Sequence, residues 1–385
     1  MYTGIMFIGL NGLNSSTIIS GCEAMSLGIA RKQYGLTESK EFDSIELLDV
    51  EKMRFSGWDY FNKSQKEMVD QYGIFSFNSP LFKERLEKIV PYKGIHTAKD
   101  IDLEKRFDYF HQPRSLEEGI NLIRADIRDF QARYLLDDLI VINMGSPAKK
   151  VNPIIKQYSF DRLLDLSIEE VPSSLLYAAA TIIEGGSFVD FTPGEALEFK
   201  CIYDMAEKNN VQLSGRDGST GQTMLKLTLA QMFKIRNLRI DGWYSTNILG
   251  NHDGYILSNP LFAETKMEDK RNGLFDLLGY SDFPHKVTID YYEPRFDSKE
   301  SWDSIDFSGW MGAKMSLKLN WQGADALLAA PMVLDIIRLI HEGHLKKLSG
   351  FQKQLGVFFK HPFGMEGKSL EYMYHYLLQF YTSIK

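Results

Sequence analysis

Apolar and polar positions change rhythm twice along the chain. At the amino end a short apolar run at 4–9 (GIMFIG) stops at a glycine, passes through NGLNSST and resumes as IISGCEAMSLGIARKQYG. That order predicts a strand, a tight turn and a helix. Further strand candidates are IELLDV at 45–50 and DLIVINMGS at 138–146, the second preceded by the charged helical stretch EEGINLIRADIRDFQARYLL. Between them, residues 60–115 read as polar and helical, with HTAKD and HQPRS as surface loop. Strands alternating with helices predict an α/β fold with a parallel, doubly wound sheet.

From about residue 223 the period shortens to two. The runs LRIDGWYSTNIL, HKVTIDYYEP and AKMSLKLNW predict half-exposed antiparallel strands of a mixed sheet, with Val287, Ile289 and Tyr291 on one face and Thr288, Asp290 and Tyr292 on the other. Met315, Leu317, Leu319 and Trp321 repeat that alternation, and an open sheet face of this kind suits a packing partner. The helical texture then returns in DALLAAPMVLDIIRLIHEG. An α/β domain formed by 1–222 and 325–385, interrupted by an α+β insertion at 223–324 with a large mixed sheet, is the organisation expected.

Composition narrows the class. With 44% apolar and 25% charged residues the chain can build a core and gives no case for disorder. Its 44 basic and 51 acidic residues leave a formal charge of -7, which argues against nucleic acid as a partner. Two cysteines, Cys22 and Cys201, exclude a disulfide framework and a multi-thiolate zinc site, and point to a reducing, cytoplasmic compartment. The amino terminus lacks a basic flank and is expected to be neither signal peptide nor anchor. No stretch approaches the roughly 18 apolar residues of a membrane span.

Candidate chemistry collects at three places. Gly9, Gly12, Asn14, Ser15 and Ser16 put backbone N–H groups at a helix start, which suits a dinucleotide phosphate. A strict GxGxxG is absent, so a plain strand-to-helix turn is the alternative. Ser146 and Pro147 close a strand at the edge where open α/β sheets bind ligands, and a simple turn explains them equally well. Third, the segment from 250 to 360 contains GNHDG (250–254), Lys266 and Lys270 one helical turn apart, Asp297 with Lys299 in FDSKE, Asp325 at a helix start and Lys360 in VFFKHPFG. Lysines gathered around an anion would serve charge stabilisation and proton transfer. A solvated face, a helix cap and a snorkelling cation are their bland readings. His341 and His344 lack a third ligand at a recognised spacing, so no metal site is expected. A GxSxG elbow, a P-loop lysine and a cysteine nucleophile context are all missing.

The chain resembles the myo-inositol-1-phosphate synthases, also called inositol-3-phosphate synthases, in their compact bacterial form. The resemblance is carried in order by SGWD (56–59), RADIRDF (124–130), PSSLLYAAATIIEG (172–185), SGRDGSTGQT (214–223), GWYSTNILGNHDG (242–254), FAETKMEDK (262–270), FDSKE (296–300), DALLAAP (325–331) and FFKHPF (358–363). It implies a Rossmann-like NAD-binding domain interrupted by a catalytic and oligomerisation domain, and a redox-neutral cyclisation of D-glucose 6-phosphate with tightly held NAD. By resemblance the catalytic residues are Lys266, Lys270, Lys299, Lys360, Asp297 and Asp325. The cofactor residues implied are Gly12, Asn14, Ser15, Ser16, Asp59, Ser146, Thr192, Asp217, Thr220, Asn251, His252 and Asp253. It also implies a homotetramer. Departures fall on the cofactor side: Arg216 stands where the family has an aspartate, Ser219 where it has a lysine, and Pro147 where a threonine is common. They motivate two alternatives, a cyclase for another sugar phosphate such as fructose 6-phosphate, and a silent NAD- or sugar-phosphate-binding regulator.

Overall fold

The computed structural model describes residues 2–75, 77–100, 107–146, 148–250, 254, 255, 274, 275 and 277–383. These fall into two compact units, one of Met1–Asp217 with Ala330–Lys353, the other of Gly218–Ala329 with Gln354–Ser383.

In the first unit, strands β1 (Thr3–Ile8), β2 (Met53–Asp59), β3 (Tyr92–Ile95), β4 (Phe110–His111), β5 (Asp138–Asn143), β6 (Ser187–Asp190), β7 (Gln212–Gly215) and β12 (Gly350–Phe351) form one sheet of order β12-β7-β6-β5-β1-β2-β3-β4. Every pairing in it is parallel. Both faces of the central strands are covered: all six residues of β5 are buried, as are Ile5, Met6 and Phe7 of β1. This is why those strands read as continuous apolar runs rather than alternations. The covering helices are α1 (Leu13–Ser26), α2 (Gln65–Tyr72), α3 (Pro80–Glu87), α4 (Leu116–Tyr134), α5 (Phe160–Leu164), α6 (Ser173–Ile183) and α7 (Lys200–Asn209). RADIRDF lies on α4, where Asp126 accepts from the Trp58 indole at 2.8 Å and Arg124 pairs with Glu184 at 2.6 Å.

The strand expected at 45–50 does not form. Asp49 caps a 3-10 turn by accepting from the Glu51 N–H at 3.2 Å and pairs with Lys32 at 2.8 Å. Capping turns Val50 out of extended geometry, and β2 begins only at Met53, with Met53 and Phe55 supplying the buried side. Gly57 in β2 is fixed by contact, because a Cβ there would lie 2.1 Å from the Phe7 carbonyl oxygen.

The second unit carries strands β8 (Arg239–Leu249), β9 (His285–Tyr291), β10 (Ser298–Ser308) and β11 (Lys314–Ala324) in the order β11-β10-β8-β9. Its helices are α8 (Gln222–Ile235), the start of α9 (Asp325–Leu345) and α10 (Leu370–Ser383). The sheet is mixed as expected, but its strands are not all antiparallel: β9 runs parallel to β8. Alternation reports which residues share a face, not strand direction, and the 35 residues between β8 and β9 are ample for a crossover. One sheet face packs α8 through Trp243, Ile305, Leu227, Ala230 and Phe233. The carboxyl-terminal segment, placed by its texture with the first domain, groups instead with this unit, where Gln231 of α8 donates to Glu371 of α10 at 2.8 Å.

Candidate active site

In the first unit the chain leaves β1 through a turn pinned to β2: Gly9 and Leu10 N–H both donate to the Trp58 carbonyl, at 2.9 and 3.0 Å. Gly9 takes a φ of +84°, which glycine adopts without strain, and Gly12 donates back to the Gly9 carbonyl at 3.1 Å. Gly12 then caps α1 with no side chain, leaving the N–H groups of Leu13, Asn14 and Ser15 at the helix start with no carbonyl one turn back to bond. Ser15 Oγ donates to the Gly9 carbonyl at 2.8 Å, and Ser16 Oγ is buried with no hydrogen-bond partner. Dipole, open donors and an unspent hydroxyl form an anion cradle of the kind that takes a pyrophosphate.

Asp59 ends β2 beside this turn. Its carboxylate accepts from the Asn11 N–H at 2.8 Å and the Tyr60 N–H at 2.7 Å, while burial pushes its pKa up to about 6 against those hydrogen bonds. Ser146 is exposed just after β5, where Gly145 lies against Gly9. Thr192 follows β6 and is buried; its N–H and Oγ1 donate to Asp190 at 3.2 and 2.9 Å, its carbonyl accepts from the Asp217 N–H at 3.1 Å, and Asn143 Nδ2 reaches both Asp190 and Thr192 at 3.1 Å. Asp217 is likewise buried, with a φ of +60°. The predicted cofactor residues of this unit therefore all lie at or just beyond the carboxyl edge of the sheet.

Sequence reasoning missed Asp190 and Asn143, because each looks like an ordinary strand end. Burial raises the Asp190 carboxyl to about 6, with Thr192 and Arg216 opposing. Arg216 pairs with Glu198 at 2.7 Å.

In the second unit Lys299, the second residue of β10, reaches Asp325 at the first turn of α9, with Nζ 3.2 and 3.4 Å from the two carboxylate oxygens. Thr220 Oγ1 lies 3.5 Å from the same carboxylate. The capping role that is the alternative reading of Asp325 falls to Asp297, which accepts from the Ala326 N–H at 3.2 Å. The segment with Lys360 joins this group through the backbone: Gly218 and Phe359 form an antiparallel bridge, and the Ser219 N–H donates to the Phe358 carbonyl at 2.9 Å. Lys360 itself is half-buried, and the Ser219 hydroxyl is buried without a hydrogen-bond partner. Lys266, Lys270, Asn251, His252 and Asp253 lie outside the described residues.

His341 and His344 share Asp138, at 2.8 and 3.4 Å, and among the described residues no group of three or more His, Cys, Asp or Glu could hold a metal ion. Among the same residues no helix is long and apolar enough to cross a membrane.

Residues 3–379 match the family model for myo-inositol-1-phosphate synthase. The chain is similar to inositol-3-phosphate synthase 1 of Bacteroides thetaiotaomicron, 32% identical over 93% of this chain and 89% of that protein. It is also similar to the inositol-3-phosphate synthase of Trypanosoma brucei brucei, 31% identical over 89% of this chain and 72% of that one. Its fold superposes on the crystal structure of inositol-3-phosphate synthase from Caenorhabditis elegans with a TM-score of 0.85 at 22% identity, covering 99% of this chain and 85% of that one. The chain therefore belongs to the myo-inositol-1-phosphate synthase family.

Proposed function

We propose that this protein is an inositol-3-phosphate synthase that converts D-glucose 6-phosphate into 1D-myo-inositol 3-phosphate; NAD, when bound, would supply reversible hydride acceptance at C5. In a chain of this family, the observation that carries the reading is the cluster of Lys299, Asp325 and Thr220, tied by the Gly218–Phe359 bridge to the segment bearing Lys360. Gly12, Asn14, Ser15 and Ser16 would hold the pyrophosphate and Asp59 the adenosine ribose. Ser146, Thr192, Asp217, Thr220, Asn251, His252 and Asp253 are assigned to the rest of the cofactor.

Loss of a C6 proton and formation of the C6–C1 bond both place negative charge on sugar oxygens beside a phosphate. Lys299, oriented by Asp325, stabilises that charge. Lys266 moves the proton at the C5 oxygen, while Lys270, Lys299 and Lys360 share the phosphate and the remaining oxyanion. Asp297 holds the amino end of α9 and so keeps Asp325 in place. The C1 oxyanion takes up one proton at closure, and no outside oxidant or reductant is needed.

A cytoplasmic homotetramer is the proposed working form. Tyr244 and Trp302, on the sheet face away from α8, are 46% and 49% exposed, which supports a partner there.

Purified protein with NAD+ and glucose 6-phosphate should yield inositol phosphate without net NADH. Carbocycle from fructose 6-phosphate alone would establish the diverged cyclase instead, and binding without turnover would establish a silent regulator.

A further inference from the structure

The core between α8 and its sheet contains ionic groups that the proposed chemistry does not use. Asp303, on the covered face of β10, is 4% exposed. Its Oδ2 accepts from Gln222 Nε2 at 2.9 Å, and its Oδ1 from the Trp243 indole at 2.7 Å and Ser245 Oγ at 2.5 Å. One turn along α8 from Gln222, Lys226 is 2% exposed, with Nζ 3.1 Å from His285 Nε2 and 5.6 Å from the Trp243 ring centroid. A protonated lysine can only donate, so with Lys226 charged Nε2 is the acceptor of this pair. Two residues of one helix are thus braced to β8, β9 and β10 inside an otherwise apolar cluster.

Such a brace is costly as a source of stability, since apolar residues of the same volume pack a core as well or better. What it supplies is direction: an apolar helix can slide on a sheet, but a carboxylate already fixed by two donors of β8 offers its remaining oxygen to Gln222 at one register of α8 only. That register matters here because Gln222 follows Thr220 by two residues and Asp303 follows Lys299 by four along the same strand. Gly221, between them, lies so close to Trp321 that a Cβ would stand 2.9 Å from the ring.

We propose that Asp303 is a positioning residue for the sugar-phosphate chemistry, fixing the amino end of α8, and with it Thr220, against the strand that carries Lys299. This rests on the reading that Lys299 and Asp325 act on the sugar phosphate. Displacements of about 1 Å at such a site lower turnover by up to about 100-fold while leaving binding largely intact.

The test uses Asp303→Asn, Gln222→Leu and the double variant Asp303→Asn with Gln222→Glu, in which the Asn amide donates to the new carboxylate. Each single variant should lose at least about tenfold in kcat, with the KM for glucose 6-phosphate changed less than about threefold, and the double variant should recover most of the loss. Gln222→Leu leaves Asp303 its Trp243 and Ser245 donors and so remains informative if Asp303→Asn folds poorly. Independently of turnover, the methyl resonance of Lys299 after reductive 13C-methylation, assigned with Lys299→Arg, should shift in both single variants and return in the double. An unshifted resonance in folded single variants, or a double variant no better than Asp303→Asn, overturns the positioning role. A wild-type protein that fails to cyclise any sugar phosphate while the resonance still responds overturns the functional reading alone.

Discussion

Lys299 and Asp325 meet because of strand register. Lys299 faces Gly323 across the β10–β11 pairing, and the chain then turns from Ala324 directly into α9, bringing Asp325 to 3.2 Å from the lysine nitrogen. Both side chains are largely buried, at 13% and 24% exposure, so the pair lies where charge is weakly screened. Asp325→Asn removes the counter-charge and keeps the shape. Turnover should fall by about 100-fold with NAD affinity unchanged, read by steady-state kinetics and by titration of NAD+.

Cofactor affinity should depend on pH through Asp59. Its carboxyl is raised to about 6 mainly by burial, so it is ionised at neutral pH and takes up a proton as pH falls through 6. The charged form is the stronger acceptor for ribose hydroxyls. Calorimetric titration of NAD+ should show affinity weakening below pH 6, and Asp59→Asn should give a weaker affinity with a smaller pH dependence over the same range.

Folding stability should depend on pH at the alkaline end through Lys226, which burial lowers from the ordinary 10.5 to about 8 while Asp303 opposes the shift. Below pH 8 the folded and unfolded chains both carry the proton, and the folded state bears the cost of a buried charge. Between pH 8 and 10.5 the unfolded chain binds more protons, so this group makes stability rise with pH, by a total on the order of a few kcal/mol. Urea unfolding of the wild type and of Lys226→Met across pH 7–10 isolates the contribution, and the variant should lack the rise.

Assembly should depend on the outer sheet face. Light scattering is expected to give four chains per particle for the wild type. Trp302→Asp, at a side chain 49% exposed in the single chain, should shift the population to smaller species while circular dichroism stays unchanged. A wild-type monomer would exclude the tetramer.

Legibility followed the range of each interaction. The opening strand, turn and helix were readable because a short apolar run, Gly9, Gly12 and a serine-rich helix start act over neighbouring residues. The run at 45–50 misled because Asp49 has a local partner in the Glu51 N–H, which competes with the extended state that the apolar pattern favours. Strands β3, β4, β6, β7 and β12, of two to four residues each, are too short to set up a period.

The sequence by itself determined the parallel α/β character, the alternating middle sheet and the inventory of lysines and aspartates, since these rest on composition and on periods of two and 3.6. Tertiary structure alone decided that Asp325 lies against Lys299, that Asp297 holds the start of α9, that β9 runs parallel to β8, and that Lys226 and Asp303 are interior. Each of those outcomes depends on register and burial between segments tens of residues apart. Spacing along the chain fixes which face a side chain shares with its neighbours, and only packing fixes what stands opposite.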